Sequence, residues 1–402
     1  MSDSTSLPLA GQRVLDLSRA LAGPFCAMIL ADLGADVVKI EPTPDGEMVR
    51  KWGPFKDGIS LYYLSIHRNK RSLAVNFRDP RGLELIREMA RSADILVENF
   101  KPGVMKEMGM DYPKLAAANA RLVFASITGF GRGGPYEDWP GVDQIAQGMS
   151  GLMSLTGQPD SGPTRVGIPI GDVVAGMWTT IGIQAAIVQR QTTGRGQLVE
   201  TSLLAGLIGI LTVQGQRQLT LGDTPGVAGN DHPVICPYGT FQAKDGPFNV
   251  AAATEDMWAK LCRLLGLENL ISHPDYRDNA ARMKNRRELI RLLNEKFAAR
   301  GKMEWTLDLV KLGLPAGPIF DLKQTFSDPH VRATGMIEEI QHRTLGRLEL
   351  IANPVRMESL GARSVRRAPP ALGEDSLQVL SDYGVARERA EALVSAKVVQ
   401  CH

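Results

Sequence analysis

Asp172 lies in the segment Ile170-Gly-Asp-Val-Val-Ala-Gly176, directly ahead of the apolar stretch Met177 to Val188. An aspartate before a helix commonly caps it, accepting hydrogen bonds from the first unpaired N–H groups. The same placement favours the ionised carboxylate, and an ionised carboxylate within reach of a substrate is a nucleophile. Gly171 and Gly176 would leave space for that approach. The local pattern leaves both roles open.

A second group of chemistry-bearing residues is basic. His67-Arg-Asn-Lys-Arg71 leads into a strand at Leu73. Such a run is more often a solvated loop, but its place ahead of a strand makes Arg68, Lys70 and Arg71 candidates for phosphate binding. Arg78, Lys101 and Lys106 stand at or after later strands and could join them. A ligand with several phosphates needs cations spread in this way. A third feature, Gly129-Phe-Gly-Arg-Gly-Gly134, matches the dinucleotide fingerprint letter by letter. That fingerprint works only where a helix begins and points its N-terminus at the pyrophosphate. Pro135 and Pro140 follow at once, so the segment reads as a loop able to close over a substrate.

Alternating strands and helices must position these groups. Arg13 to Leu17, Asp36 to Ile40, Leu73 to Val75, Ile95 to Val97 and Leu122 to Ser126 read as strands; Phe25 to Leu33 and Pro80 to Ala90 read as helices. The alternation predicts an α/β fold with a parallel sheet covered on both faces. Ligands of such sheets bind beyond the carboxyl ends of the strands. Composition changes near Gly215. Residues 216–325 read as a linker and a smaller unit, with a strand at Phe248 to Ala252 and helices at Asp256 to Leu265 and Arg286 to Ala299. Residues 326–402 are mostly turns and short strands, with one amphipathic helix near the end.

Hydrophobic residues are 44% and charged residues 22% of the 402, the balance of a soluble globular protein. A net charge of +2 is too small to point to nucleic acid or an anionic membrane as partner. The longest apolar run, Leu203 to Val213, falls short of the ~20 residues of a membrane span. The N-terminus lacks a signal-peptide pattern. The four cysteines, Cys26, Cys236, Cys262 and Cys401, and the scattered histidines have no metal-ligand spacing. No metal is expected, and reduced thiols suit a cytoplasmic location.

Several segments together, in order from about Leu9 to Leu360, resemble the family III CoA-transferases. They are Ala22-Gly23-Pro24, Leu33-Gly-Ala-Asp-Val-Val-Lys-Ile-Glu41, Asn69-Lys-Arg-Ser72, Val97-Glu-Asn-Phe100 with Pro102-Gly103, Gly171-Asp172, Thr193-Gly-Arg-Gly-Gln197 and Leu314-Pro-Ala-Gly-Pro318. The resemblance implies a large Rossmann-like domain beginning with residues 1–215, a smaller domain, and a tail from residue 326 that returns to the large one. It implies an interlocked homodimer, and no cofactor, CoA being a substrate. The family's nucleophile corresponds to Asp172. Its CoA contacts fall on Leu21 and Ala22, on Val75 to Arg78, on Asn99, Phe100 and Lys101, and near Asp143. Two basic contacts of the family correspond here to Pro42 and Glu107, so Lys106 is expected to replace the second.

The implied reaction moves CoA from an acyl-CoA to a carboxylic acid through an aspartyl anhydride and an aspartyl thioester. The acceptor is anionic and calls for a cation, for which Arg165, seven residues before Asp172, is the candidate; a dicarboxylate such as succinate suits the donor. Related 2-methylacyl-CoA racemases carry a histidine where this chain has Val142. Without that histidine a racemase lacks one of its two bases. A racemase-like isomerase and a CoA-binding protein without turnover are the alternatives.

Overall fold

The computed structural model describes residues 7–361 and 363–402. The chain divides into two compact units. The first takes in the chain up to Met153, then Arg165–Thr224 and Pro329–His402; the second takes in Ser154–Thr164 and Pro225–Asp328.

The first unit is built on a seven-stranded sheet. Its order across is Val399–Gln400, Lys70–Val75, Asp36–Pro42, Arg13–Asp16, Ile95–Glu98, Val123–Thr128 and Leu198–Ser202. Neighbours run parallel, except that the C-terminal strand lies antiparallel at the edge, with Val399 opposite Val75. Successive strand residues point to opposite faces. Leu15, Val38, Leu73, Leu96 and Phe124 therefore meet the helix Pro80–Ala90 and the C-terminal helices through Leu85, Val379 and Leu393. Val14, Val37, Ile95, Val97 and Val123 meet the helices Ala22–Asp32 and Ile170–Thr193 through Leu30 and Ile183. Each such buried aliphatic side chain stabilises by roughly 1.5–3 kcal/mol, so both faces need the near-continuous apolar strands that the sequence contains.

The helix Ile170–Thr193 is long and apolar enough, by length and composition, to cross a membrane. Here one side of it packs on the helix Ala22–Asp32. At Gly176 the approach is so close that a Cβ would stand 2.7 Å from the Ala22 carbonyl oxygen. Gly176 thus serves helix packing, not ligand access. The helix ends at Gly194, whose φ of 69° is left-handed and suits glycine.

The second unit has a three-stranded antiparallel sheet, Ala316–Pro318, Gly246–Ala251 and Tyr238–Ala243. Phe241, Phe248 and Val250 on the sheet pack against Trp258, Phe297 and Trp305 on helices. Two of these strands escape a reading of the sequence, and the helix Thr212–Leu221 occupies part of the stretch that reads as a linker.

Candidate active site

The carboxyl ends of the sheet strands open into two adjoining clefts in the first unit. One, of about 530 Å³, is lined by Arg19 to Ala22, Asn99 to Pro102, Thr128, Gly129, Trp139, Asp143, Arg165 and Asp172. The other, of about 720 Å³, lies over the ends of Asp36–Pro42 and Lys70–Val75 and is lined by Pro42 to Gly46, Lys51, Asn76, Phe77 and Arg78. Met48 and Trp52 line both. From the strand that leads to Arg78 to the strand that leads to Gly129 is four strand spacings, or roughly 19 Å.

Asp172 is in the first turn of its helix, not at the N-cap, which is Pro169. The capping role therefore does not hold: among the described residues, no group donates a hydrogen bond to its carboxylate. Burial first, and the neighbouring Asp143 carboxylate second, push the Asp172 pKa up from 3.8 to about 7. A helix N-terminus favours the ionised form by only about 0.3–1 kcal/mol, and a rise of this size is worth a few kcal/mol. Desolvation and like charge win. The group is left nearly balanced between acid and carboxylate at neutral pH, a perturbation of the kind that marks functional sites.

Asp143 begins the helix Asp143–Met149. Its Oδ1 accepts from the Gly171 N–H at 2.7 Å, and its Oδ2 accepts from the Gln147 side-chain amide at 2.7 Å. A Cβ at Gly171 would lie 3.0 Å from Asp143 Oδ1 and 3.2 Å from Leu207. The glycine before Asp172 is thus required by the Asp143 hydrogen bond. Both Asp143 oxygens have partners within the protein, so it orients the Gly171-Asp172 turn more directly than it could hold CoA.

Of the other expected CoA contacts, Leu21, Ala22, Asn99, Phe100 and Lys101 meet in the same cleft as Asp172, and Arg165 joins them. Residues 19–22 line it through an unusual corner: Ala20 has a φ of 61°. Asn99 holds that corner, its Oδ1 accepting from the Arg19 N–H at 2.6 Å and its Nδ2 donating to the Arg19 carbonyl at 2.7 Å. Glu47 accepts from the Ala20 N–H at 3.2 Å.

The basic run is corrected by the structure. Arg68 is buried in a bidentate pair with Asp32, at 3.1 and 2.6 Å. Lys70 is fully buried, donating to Asp16 at 2.9 Å and to the Pro24 carbonyl at 2.8 Å. Arg71 forks to Asp36 at 2.9 and 2.6 Å and also meets Asp382. Arg71 and Asp36 stand near the starts of neighbouring strands, at the end of the sheet opposite the clefts, whereas the Lys70 ammonium reaches along the sheet to Asp16, at the carboxyl end of its strand, and is committed there. Asn69, with a φ of 61°, ties Asp32 to the C-terminal segment, donating to Asp32 at 2.7 Å and accepting from the Arg366 and Arg367 N–H groups. Asn69-Lys-Arg-Ser72 is therefore a structural joint, not a phosphate site. Val75 is also corrected: its side chain is buried in the core. Lys106 is exposed on the helix Val104–Glu107 and lines neither cleft. Arg78, Lys101 and Arg165 are exposed, and none of the three makes an ion pair among the described residues.

Lys39 and Glu41, which look out of place in an apolar strand, explain themselves in the same way. Lys39 sits between Asp16 at 3.5 Å and Glu47 at 3.4 Å, and Glu41 meets Arg50 at 2.6 Å. With Lys70 this makes three buried or half-buried cations against three buried carboxylates. Burial works against ionised Asp16, but Lys39 and Lys70 outweigh it and hold its carboxyl below the ordinary value. Charged residues in an otherwise apolar strand were the available signal for this network, which underlies the Ala20 corner.

The loop after Val123–Thr128 does not start a helix. Gly129 and Gly141 pass so closely at its base that a Cβ on Gly129 would lie 2.6 Å from Gly141 Cα. Between them Phe130, Tyr136 and Trp139 cluster, with Tyr136 and Trp139 ring centres 4.2 Å apart. The segment is a flap beside the cleft, as the prolines imply. Among the described residues, no cluster of three His, Cys, Asp or Glu side chains could hold a metal ion.

A family model described as CoA-transferase family III matches residues 9–376. The chain is 37% identical over 404 residues to the succinyl-CoA:glutarate CoA-transferase of Mus musculus, covering all of this chain and 92% of that protein. It is 35% identical over 382 residues to the succinate–glutarate CoA-transferase of Agrobacterium fabrum, covering 93% of this chain and 95% of that one. Among solved structures, a CAIB/BAIF family protein from Brucella suis superposes with a TM-score of 0.83 at 37% identity, covering 94% of this chain and 99% of that chain. The chain belongs to the family III CoA-transferases and transfers CoA from an acyl-CoA to a carboxylic acid.

Proposed function

We propose that Asp172 carries this transfer as a covalent relay, with succinyl-CoA as donor and a dicarboxylate such as glutarate as acceptor. The observation that carries the mechanism is an unpartnered, partly buried carboxylate in a cleft lined by exposed cations. The acids are suggested by the activities named for the mouse and Agrobacterium fabrum relatives. Asp172 attacks the thioester carbonyl, forming a mixed anhydride and releasing CoA thiolate. The thiolate attacks the aspartyl carbonyl, giving an Asp172–CoA thioester and the free donor acid. The acceptor carboxylate attacks that thioester, forming a new anhydride and releasing the thiolate again. The thiolate then takes the acceptor acyl group and frees Asp172. CoA must stay bound throughout by groups remote from its sulfur, and water must stay out. Arg78 in one cleft and Lys101 in the other suit the phosphates, Arg165 suits the acceptor carboxylate, and the Gly129 to Gly141 flap suits the cover.

An exchange screen tests the reading: succinyl-CoA is offered glutarate, oxalate and other acids, and new CoA thioesters are weighed by mass spectrometry. Transfer to at least one dicarboxylate is expected, without solvent deuterium entering the α-carbon of a 2-methylacyl-CoA. Rapid α-deuteration without transfer would favour a racemase despite Val142.

The corrected basic residues separate in a second experiment. A charge-assisted phosphate contact is worth roughly 1.5–3 kcal/mol. Arg78→Ala is therefore expected to raise the thioester KM about tenfold or more, leave the KM for the free acid unchanged and barely alter stability. Lys70→Ala takes from buried Asp16 the nearer of its two lysine partners and should cost up to about 3–5 kcal/mol in denaturant unfolding. The reverse pattern would place the phosphates at the buried lysine.

We also infer a homodimer. Trp178, Ile181 and Val188 on one helix, Ile208 on the next, and Val213 and Leu219 on a third are exposed. A soluble chain seldom leaves so many large apolar groups uncovered without a partner, and a second copy of this chain is the partner that the family resemblance implies. A cytoplasmic location suits the four unpaired cysteines.

A further inference from the structure

Gln147 is fully buried, yet both ends of its side chain are committed. Its Nε2 donates to Asp143 Oδ2 at 2.7 Å, and its Oε1 accepts from the Val166 N–H at 2.9 Å. Asp143 in turn accepts from the Gly171 N–H at 2.7 Å. One helix, Asp143–Met149, thereby grips the backbone at Val166 and again at Gly171. Arg165 stands immediately before the first grip and Asp172 immediately after the second. Between them lie Gly167 and Pro169, and within this span the short Ile170 N–H to Ile168 carbonyl bond is a local turn that could not fix the span alone.

We propose that Gln147 is a positioning residue that sets the separation of Arg165 from Asp172, and so places the acceptor carboxylate for attack on the aspartyl thioester. The proposal rests on the roles given above to Asp172 and Arg165. An amide serves both grips at every pH, because one end donates to a carboxylate while the other accepts from an N–H. Asp143, through its hydrogen bond to Gly171, belongs to the same device.

Two variants test it in the full-length protein, with succinyl-CoA and glutarate or whichever donor and acceptor the wild-type protein exchanges fastest. Gln147→Met keeps the length and loses both hydrogen bonds. Losing both grips frees Arg165 from Asp172 and should raise the acceptor KM at least about tenfold, while hydroxylamine still traps the donor half-reaction on Asp172. Gln147→Glu should behave differently with pH. Protonated, the introduced carboxyl can donate to Asp143 and accept from Val166; ionised, it repels Asp143. The charged groups around it are Asp143 on its own helix, Asp172 and the distant Arg190 on the helix Ile170–Thr193, and Arg165; the helix Leu203–Gly209 brings none. None pairs with Asp143: Arg165, though in the same cleft, is exposed and donates its Nε to the Val166 carbonyl at 3.2 Å. The acceptor KM of Gln147→Glu should therefore stay near the wild-type value at low pH and climb towards that of Gln147→Met as pH rises. An unchanged acceptor KM in folded Gln147→Met, or a KM ratio of Gln147→Glu to wild type that does not vary with pH, overturns the proposal. Should Gln147→Met not fold, the pH test decides alone. Exchange that survives Asp172→Asn is a separate failure, of the nucleophile assignment.

Discussion

Asp172→Asn is expected to lower CoA exchange by about 10⁴-fold or more, the scale on which removal of a covalent nucleophile acts, while CoA binding and the fold persist. The stability of the variant is as informative as its activity. In the folded protein the Asp172 carboxyl is raised from 3.8 to about 7. A raised carboxyl pKa means that its favourable contribution is fully present below about pH 3.8 and is lost as pH rises through about 7. Above neutrality the native enzyme therefore holds a carboxylate that would be better solvated unfolded. Asp172→Asn lacks that penalty. Denaturant unfolding at mildly alkaline pH should show it to be at least as stable as the wild-type protein, with the difference shrinking towards acid. A residue kept only as a cap would show the opposite, a loss of ~1 kcal/mol with activity intact.

The second large effect is on pH dependence. Because Asp172 attacks as the carboxylate, kcat/KM for the thioester, which reports the free enzyme, should rise with pH through a midpoint near the raised value of about 7. Asp143→Asn should move that midpoint down, because it removes the like charge. Burial, the larger cause, should keep it well above the ordinary 3.8. A rate flat from mild acid to mild alkali would mean either that another group attacks or that substrate binding resets Asp172; a midpoint unmoved in Asp143→Asn would remove Asp143 from the electrostatics.

Much of the arrangement was legible from the chain. The apolar strands at Arg13, Asp36, Ile95 and Val123 identify the parallel sheet because each must be buried on two faces, and the sheet's carboxyl edge is where Asn99, Lys101 and Asp172 meet. Pro135 and Pro140 were enough to reject a helix after the glycine loop. The basic run misleads for a physical reason. A lysine's charge is equally visible in the sequence whether it faces a phosphate or a buried aspartate, and the partners Asp16, Asp32 and Asp36 lie 35 to 54 residues away. Register decides for Arg71, which lies opposite Val38 near the start of its strand, while the Lys70 ammonium is spent on buried Asp16. Gly176 misleads likewise, since a close helix contact and a ligand entrance both require a missing side chain. Gln147 carried no signal of its own, because its use depends on the Asp143 carboxylate and on the Val166 N–H, which lies beyond the excursion Ser154–Thr164.

The central claim is that Asp172 becomes covalently acylated, and trapping that state tests it most directly. The wild-type protein is incubated with succinyl-CoA and no acceptor, quenched with hydroxylamine, digested and weighed. An anhydride and a thioester are both activated acyl groups, so each yields an aspartyl hydroxamate, whereas a free carboxylate does not react. The account predicts the hydroxamate on the peptide that contains Gly171-Asp172-Val173, formed only when thioester is supplied and absent from Asp172→Asn. A turnover-competent protein that gives no hydroxamate, or one that gives it on Asp143, would contradict the account.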